Sequence, residues 1–186
     1  MSKVKFNIKN VHYAKRIVSE VGAITYNTPV AIPGAVSITL DQQGDLTSFW
    51  ADGIKYYVAS SNGGYQGDLN VAMIPDKFRE DILSEEKDTK NVLFENANSQ
   101  SVEFALGFQI DGDSESTFLW FYNCTVTRPS VTANTTTDTK EPDTDTLTVS
   151  CVANPDGTVR AKTTASTDEA VKTAWFNTVY QKTSGV

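Results

Sequence analysis

Apolar side chains recur at every second position over residues 102–110, which is the clearest pattern in the chain. The alternating apolar residues are Val102, Phe104, Leu106, Phe108 and Ile110. A period of two places one large apolar face on a single β-strand. The turn-forming residues Asp111-Gly112-Asp113-Ser114 come next. Over 118–126, apolar residues then occupy both even-numbered and odd-numbered positions, and so both faces of a strand. We therefore predict a long central hairpin of an antiparallel sheet, with its return strand covered on both faces by the core and by a second layer or a neighbouring chain.

Shorter apolar alternations predict further strands on either side of this hairpin. They lie at residues 4–8, 35–40, 46–51, 54–59, 65–73, 92–94, 147–153 and 159–162. Asp52-Gly53 between two apolar runs favours a two-residue hairpin turn. We also expect residues 159–162 to pair back on 147–153, across the turn Asn154-Pro155-Asp156-Gly157.

Two segments break the period of two and predict short helices. Residues 75–83 begin with Pro and Asp and place Phe78 and Ile82 on one stripe. In residues 167–176, Thr167 is a candidate cap, acids fill the first turn, and the expected buried stripe is Val171, Ala174 and Trp175. The predicted fold class is mainly β: two packed antiparallel sheets, as a β-sandwich or barrel-like fold, with one or two short flanking helices and long arms or loops.

Length and composition favour one domain over residues 1–186, with an N-terminal arm at 1–10 and a long Thr/Asp-rich loop at 127–146. Sixteen basic and twenty-three acidic residues give a formal net charge of -7. That charge argues against wrapping nucleic acid by neutralising phosphates. No apolar segment follows the first ten residues and no long apolar run occurs, so we expect neither secretion nor membrane insertion.

The residues that could carry chemistry do not form a recognisable catalytic or ligand set. His12 is the single histidine, and Cys124 and Cys151 are far apart in sequence, so no nucleophile motif or zinc spacing results. Residues 111–115 resemble the start of a calcium loop but lack its glycine and its final glutamate. We predict no enzyme activity, no cofactor and no metal, with both cysteines buried and reduced. Tyr56, Tyr57 and Tyr65 are candidates for a sugar-binding surface, although strand aromatics more often pack across strands.

Several segments, taken in their order along the chain, resemble a known family. They are GAVSITLDQQGD (34–45), FWADGIKYYVASSNGGYQGDLNVAMIPDKFREDIL (49–83), VLFENANSQSVEFALGFQIDGD (92–113), NCTVTRPSV (123–131) and the Thr-Asp-Glu-Ala to Trp-Phe ending (167–176). Together they are similar to the major tail protein, or tail tube protein, of long-tailed phages in the phi13 group.

That resemblance implies a structural protein of the virion tail, assembled in the host cytoplasm. Hexameric rings would stack into a hollow tube whose lumen is lined by strands from every subunit and carries the genome during ejection. The implied partners are further copies of the chain and other tail proteins such as the tape measure, terminator and distal tail proteins. DNA would pass without specific binding, and the family has no catalytic motif to transfer.

Three surfaces follow as expectations for such an assembly. Leu119 and Phe121, with Trp120 on the opposite face, would leave apolar strand surface for a neighbouring subunit. Asp111, Asp113 and Glu115 at the hairpin tip are candidates for an acidic channel rim, against the alternative of a solvated turn. Most of the N-terminal basic residues, which are Lys3, Lys5, Lys9, Lys15 and Arg16, should then lie outside the lumen or pair with acids.

The loop 127–146 or the arm 1–10 is expected to bridge neighbouring subunits, since the loop is polar and long enough to reach. The alternative interpretation is a monomeric β-sandwich binding module, with carbohydrate as one candidate ligand. Monodispersity in solution would distinguish the two.

Overall fold

Strands dominate the computed structural model, which describes residues 4–135 and 142–183 of the chain. The strands are β1 (Lys5–Val18), β2 (Ile24–Tyr26), β3 (Val30–Ala31), β4 (Ala35–Gln43), β5 (Leu46–Ala51), β6 (Ile54–Ser60), β7 (Gly64–Val71), β8 (Glu86–Lys87), β9 (Leu93–Phe94), β10 (Phe104–Gly112), β11 (Thr117–Val126), β12 (Asp145–Val152) and β13 (Arg160–Lys162). The two helices are α1 (Asp76–Asp81) and α2 (Glu169–Thr173). The predicted mainly-β fold is confirmed.

Nine of these strands form one antiparallel sheet. Seven of the nine follow one another in the order β2-β1-β10-β11-β12-β7-β4. Strand β3 adds to β1, and β13 adds to β11. Strands β5 and β6 form a separate two-stranded ribbon, and so do β8 and β9. Within the described residues, neither ribbon pairs with a strand of the large sheet. Of the predicted N-terminal arm 1–10, residues 5–10 belong to β1, and Lys5, Ile8 and Lys9 pair with Gly112, Ile110 and Gln109 of β10.

The large sheet curls so that strands from both ends of its order share one core. Val11 and Tyr13 of β1 lie in the same apolar cluster as Leu69 of β7, and Ile38 and Leu40 of β4 pack against that cluster. The Ile32 N–H donates to the Val11 carbonyl at 2.7 Å, which extends the β3–β1 pairing toward the start of β4. Two halves of one curved sheet thus face each other, which is the barrel-like form of the predicted architecture.

The predicted central hairpin is β10–β11, and its two faces enter two different cores. Phe104, Leu106 and Phe108 of β10 and Leu119 and Phe121 of β11 fill the main cluster. The opposite face carries a second cluster whose buried members are Ala14, Ala105, Trp120, Tyr122, Trp175 and Val179. The covering layer predicted for this strand is therefore the chain's own C-terminal segment.

Gly107 lies directly opposite Trp120 in the β10–β11 pairing. A Cβ atom at this position would lie 2.6 Å from the Trp120 ring, closer than side-chain atoms approach one another. Glycine therefore lets the indole lie against the strand, where its Nε1–H donates to the Trp175 carbonyl at 3.0 Å.

Strand β13 pairs with β11 and not with β12, so the predicted 147–153 and 159–162 hairpin is wrong. The pairs are Leu119 with Lys162, Trp120 with Ala161 and Phe121 with Arg160. The reason is that β12 already has β11 on one edge and β7 on the other, and a strand has only two hydrogen-bonding edges.

The two helices are short, and a buried aromatic side chain holds the first of them against the sheet. Phe78 of α1 is buried with its ring edge-on to Tyr13, whose hydroxyl donates to Asp81 at 2.9 Å. Burial, and then this hydrogen bond, raises the pKa of Tyr13 well above its usual range. The predicted cap of α2 is wrong, because Thr167 accepts a hydrogen bond from the Thr164 N–H and Asp168 precedes the helix without a side-chain cap.

Cys124 and Cys151 lie directly opposite each other on β11 and β12, and both are buried free thiols. Burial, and then the neighbouring Cys151 thiol, raises the pKa of Cys124 well above its ordinary value. Because both thiols are buried and out of reach of the reagent, we expect neither cysteine to react with an aromatic disulfide reagent in the native protein at mildly alkaline pH. Both should react promptly in concentrated guanidinium. Rapid labelling of the native chain would contradict the buried pairing.

Candidate functional site

The β5–β6 hairpin carries the most conspicuous exposed apolar surface of the described chain. Its large exposed side chains are Leu46, Phe49, Trp50, Ile54, Tyr56, Tyr57 and Val58. They range from 46% exposed at Val58 to 70% at Tyr56. Monomeric proteins rarely leave a large contiguous apolar patch in water, and such patches commonly mark binding surfaces.

Local sequence explains why this ribbon forms. Asp52 and Gly53 have φ values of 52° and 76°, and two successive positive φ values are typical of the tight turn predicted for these residues. Across the strands, Phe49 pairs with Tyr57. The Lys55 ammonium lies 5.9 Å from the centre of the Trp50 ring on the neighbouring pair. The predicted hairpin is confirmed.

The ribbon continues from the main sheet. Strands β4 and β7, which flank it in the chain, pair with each other as far as Gln43 opposite Gly64. Beyond that pair, the Gly63 N–H donates to the Gln43 carbonyl at 2.7 Å and the Ser61 N–H donates to the Asp45 carbonyl at 3.1 Å. The ribbon is therefore joined to the main sheet at its base, and only its far part, where two strands stand without a third, has the marginal stability of a lone hairpin in water.

The residues predicted to contact a neighbouring subunit are instead buried inside their own chain. Leu119 is 5% exposed, Trp120 is 0% exposed and Phe121 is 2% exposed. The edges of β11 are also occupied, since β10 lies on one side and β12 and β13 share the other. This corrects the prediction: Leu119 and Phe121 lie in the chain's own main core, and the C-terminal segment with Trp175 and Val179 covers Trp120 on the opposite face.

A signal for the hairpin surface was present in the sequence. Phe49-Trp50 and Tyr56-Tyr57-Val58 are runs of adjacent apolar residues, which place apolar side chains on both faces of a ribbon. The same signal in β11 wrongly predicts exposed surface, because adjacent apolar residues do not reveal which other segment covers them.

The three candidate rim acids differ in their surroundings. Asp111 lies at the end of β10, where its carboxylate is 2.6 Å from the Lys9 ammonium and accepts hydrogen bonds from Gln109 and Ser116. The bond from Lys9 lowers the pKa of Asp111, and the other two donors act in the same direction. Asp113 is exposed and Glu115 half-buried, and each has an interaction partner of its own. A rim role for these acids stays a prediction.

Two of the N-terminal basic residues form ion pairs with acids within the described chain. Lys9 pairs with Asp111, and the largely buried Arg16 pairs with Glu103. Lys3 lies outside the described residues.

The Thr/Asp-rich loop 127–146 is anchored to the domain near its start and is bonded to itself farther along. Near its start, Arg128 pairs with Glu95 at 2.8 Å and donates to the carbonyls of Asn96 and Ser99. Farther on, the backbone and side-chain N–H groups of Asn134 both donate to the Asp143 carboxylate at 2.9 Å, which lowers the pKa of Asp143. Residues 136–141, on which part of the bridging prediction depends, lie outside the described residues.

The remaining candidates for chemistry have structural surroundings. His12 stacks on Phe176 with ring centres 4.5 Å apart, and its Nδ1–H donates to the Asn10 carbonyl at 2.8 Å. Tyr65 does not join Tyr56 and Tyr57 in a sugar platform, because its ring packs edge-on against Phe121 at 5.2 Å.

Neither a metal centre nor a membrane helix can be identified in the described chain. Within residues 4–135 and 142–183, no cluster of three or more His, Cys, Asp or Glu side chains could hold a metal ion. In the same residues, neither helix has the length and apolar character needed to cross a membrane.

Comparison with known proteins leaves the family open. No protein-family model matches this chain, and no curated protein matches it.

Proposed function

We propose that this chain is the structural subunit of a phage tail tube, assembling into stacked hexameric rings that form the channel for genome ejection. The observation that carries the proposal is the β5–β6 hairpin, which presents seven large apolar side chains on a ribbon outside the main sheet. The order of sequence segments that resembles the major tail protein family supports the same conclusion.

Burial of the hairpin against a neighbouring copy would supply the free energy of assembly. Each large apolar side chain removed from water contributes about 1.5–3 kcal/mol. Since β5 and β6 continue from β4 and β7, a contact made by the hairpin is linked directly to the main sheet.

The sheet also offers a free strand edge. β4 is the last strand in the order, so within the described residues one of its edges has no hydrogen-bonded neighbour. An exposed edge is a template for pairing with another chain. Addition of a neighbour's strand there would carry the sheet from subunit to subunit, which is what a lumen built of strands requires.

The overall charge suits a channel for DNA. With a formal net charge of -7, an assembled ring would repel a polyanion on balance and limit adhesion to its wall. The partners of this assembly would be further copies of the chain and the tape measure, terminator and distal tail proteins of the same tail. Its location would be the virion tail, after assembly in the host cytoplasm.

Negative-stain electron microscopy of the purified full-length chain tests the proposal. The expected result is rings or tubes of uniform diameter, with the sedimentation coefficient rising as protein concentration rises. A 20.3 kDa monomer at every concentration, with no rings or tubes, would refute the proposal. That outcome would favour the alternative of a monomeric binding module.

A further inference from the structure

A cavity of about 270 Å³ opens between the two facing halves of the curled sheet. Ile38 and Leu40 of β4 form one wall with Tyr65 of β7, and the other wall comes from the central hairpin β10–β11. Phe108 and Phe121 of that hairpin are stacked with ring centres 5.9 Å apart. Apart from Thr117, the side chains that line the cavity interior are aliphatic or aromatic, and all of them lie on strands.

Three cationic side chains surround this apolar interior: Lys5 of β1 and Arg160 and Lys162 of β13. All three residues are exposed, whereas the apolar lining residues are buried or half-buried, so the cations lie at the mouth. Arg160 is held there by the Tyr65 ring, with its guanidinium carbon 5.3 Å from the ring centre. No acidic residue is among the described residues that line the cavity.

The cationic mouth is opposite in sign to the chain's formal net charge of -7. A guanidinium and two ammonium groups favour an anionic head group, with the guanidinium fork matched to a carboxylate. The apolar interior favours an alkyl chain, because it removes methylene groups from water. The small volume, near the lower limit for ligand cavities, accommodates one chain and not two.

We propose that this cavity binds a single-chain anionic amphiphile, a medium-chain carboxylate, with its alkyl chain between β4 and β10–β11 and its carboxylate at Arg160 and Lys162. The chain would lie against Leu40, Phe108 and Phe121, and Lys5 would add to the positive field at the mouth. This site is separate from the hairpin surface and does not depend on the proposed tail tube function.

Equilibrium dialysis of the full-length chain against decanoate, with 1-decanol as the uncharged counterpart, tests the site. We expect one decanoate to bind per chain. Its affinity should be about tenfold higher than that of decanol, because two partly exposed ion pairs contribute a free energy of that size. High salt should reduce that preference. Across hexanoate, octanoate and decanoate, affinity should rise about fourfold per methylene until the cavity is full. Equal binding of decanoate and decanol would overturn the assignment of the cationic mouth.

Surface variants locate the head group without disturbing the core. Arg160→Gln with Lys162→Gln should weaken decanoate about tenfold and leave decanol unchanged. The matched control is Lys90→Gln with Lys182→Gln, which removes the same charge from exposed residues that do not line this cavity. If the control weakens decanoate as much as the mouth variant, the effect is general electrostatics and the proposal is wrong.

A third variant fills the cavity. Leu40→Trp is expected to abolish binding of both decanoate and decanol, because the indole would occupy the space of the alkyl chain. Unchanged binding by a folded Leu40→Trp protein would overturn the proposal. If this variant does not fold, the chain-length series and the charge variants decide the question by themselves.

Discussion

Replacing Trp120 with alanine is expected to lower the free energy of unfolding by about 4 kcal/mol, the cost typical of truncating a large buried aromatic residue. Trp120 is 0% exposed and lies between Gly107 and the C-terminal segment. Its ring also contacts Phe176, with ring centres 5.9 Å apart. The substitution would leave a cavity that the rigid pair of strands β10 and β11 cannot close by collapsing.

The same substitution removes a buried hydrogen bond. The Trp120 Nε1–H donates to the carbonyl of Trp175, and an unpaired buried carbonyl adds to the loss. Since domains of this kind are stable by about 5–15 kcal/mol in total, the variant should unfold at a much lower urea concentration. The C-terminal segment 175–180 should detach first, because Trp120 provides the surface on which it packs.

The matched control is Trp50→Ala, which makes the same chemical change at a side chain that is 61% exposed. Its effect on the unfolding of the monomeric chain should be within about 0.5 kcal/mol. Urea unfolding followed by far-ultraviolet circular dichroism measures both. Similar midpoints for the two variants would contradict the burial of Trp120.

Local patterns in the sequence predicted most of the strands. The period of two in β10 and the Asp52-Gly53 turn depend on residues that are neighbours in the chain, so their structural consequence is local. Helix α1 was likewise predictable from its N-terminal Pro75 and Asp76 and from Phe78. The mainly-β fold followed from these elements.

Long-range pairing could not be predicted in the same way. Strand β13 has only three residues, and nothing in Arg160–Lys162 distinguishes β11 from β12 as its partner. The C-terminal cover is similar: Trp175 and Val179 are buried, yet they lie after α2 in a segment without a regular period. The free strand edges depend on how all the strands of the sheet are ordered. That order is set by contacts between residues far apart in the chain, and a local sequence pattern does not reveal it.

For the candidate site, too, the local structure was predictable from the sequence and the exposure of its side chains was not. The hairpin was located correctly from its turn, but exposed apolar surface was assigned to Leu119, Trp120 and Phe121. Both segments have apolar residues on both faces, so their patterns are equivalent. They differ only in what covers them: β11 lies between two packed layers, and β5–β6 extends beyond the sheet.

Replacing Phe49 and Tyr57 together with threonine is expected to abolish ring and tube formation while leaving the subunit folded. These residues form a cross-strand pair and are 60% and 62% exposed, so they contribute little to the stability of the monomer. Threonine retains a preference for strands, so the hairpin itself should persist. The double variant thus removes apolar surface without removing the ribbon.

The size of the effect follows from burial at each contact. Because each side chain is about 60% exposed before contact, the loss of burial is roughly 1–2 kcal/mol per side chain, and the two together reduce the association constant about thirtyfold to a thousandfold. Every subunit carries one hairpin, so the loss is repeated at each contact of a ring. Sedimentation velocity should show a monomer at concentrations where the unaltered chain assembles, and electron micrographs should show no rings.

Phe94→Thr is the control, because Phe94 is 56% exposed on the separate ribbon β8–β9 and loses the same apolar surface. If assembly results from non-specific association of exposed aromatic residues, Phe94→Thr should weaken assembly about as much as one of the two hairpin substitutions does. If the hairpin is the specific contact, Phe94→Thr should assemble at the same concentration as the unaltered chain. Tubes formed normally by the Phe49→Thr and Tyr57→Thr variant would show that another surface, such as the free edge of β4, holds the subunits together.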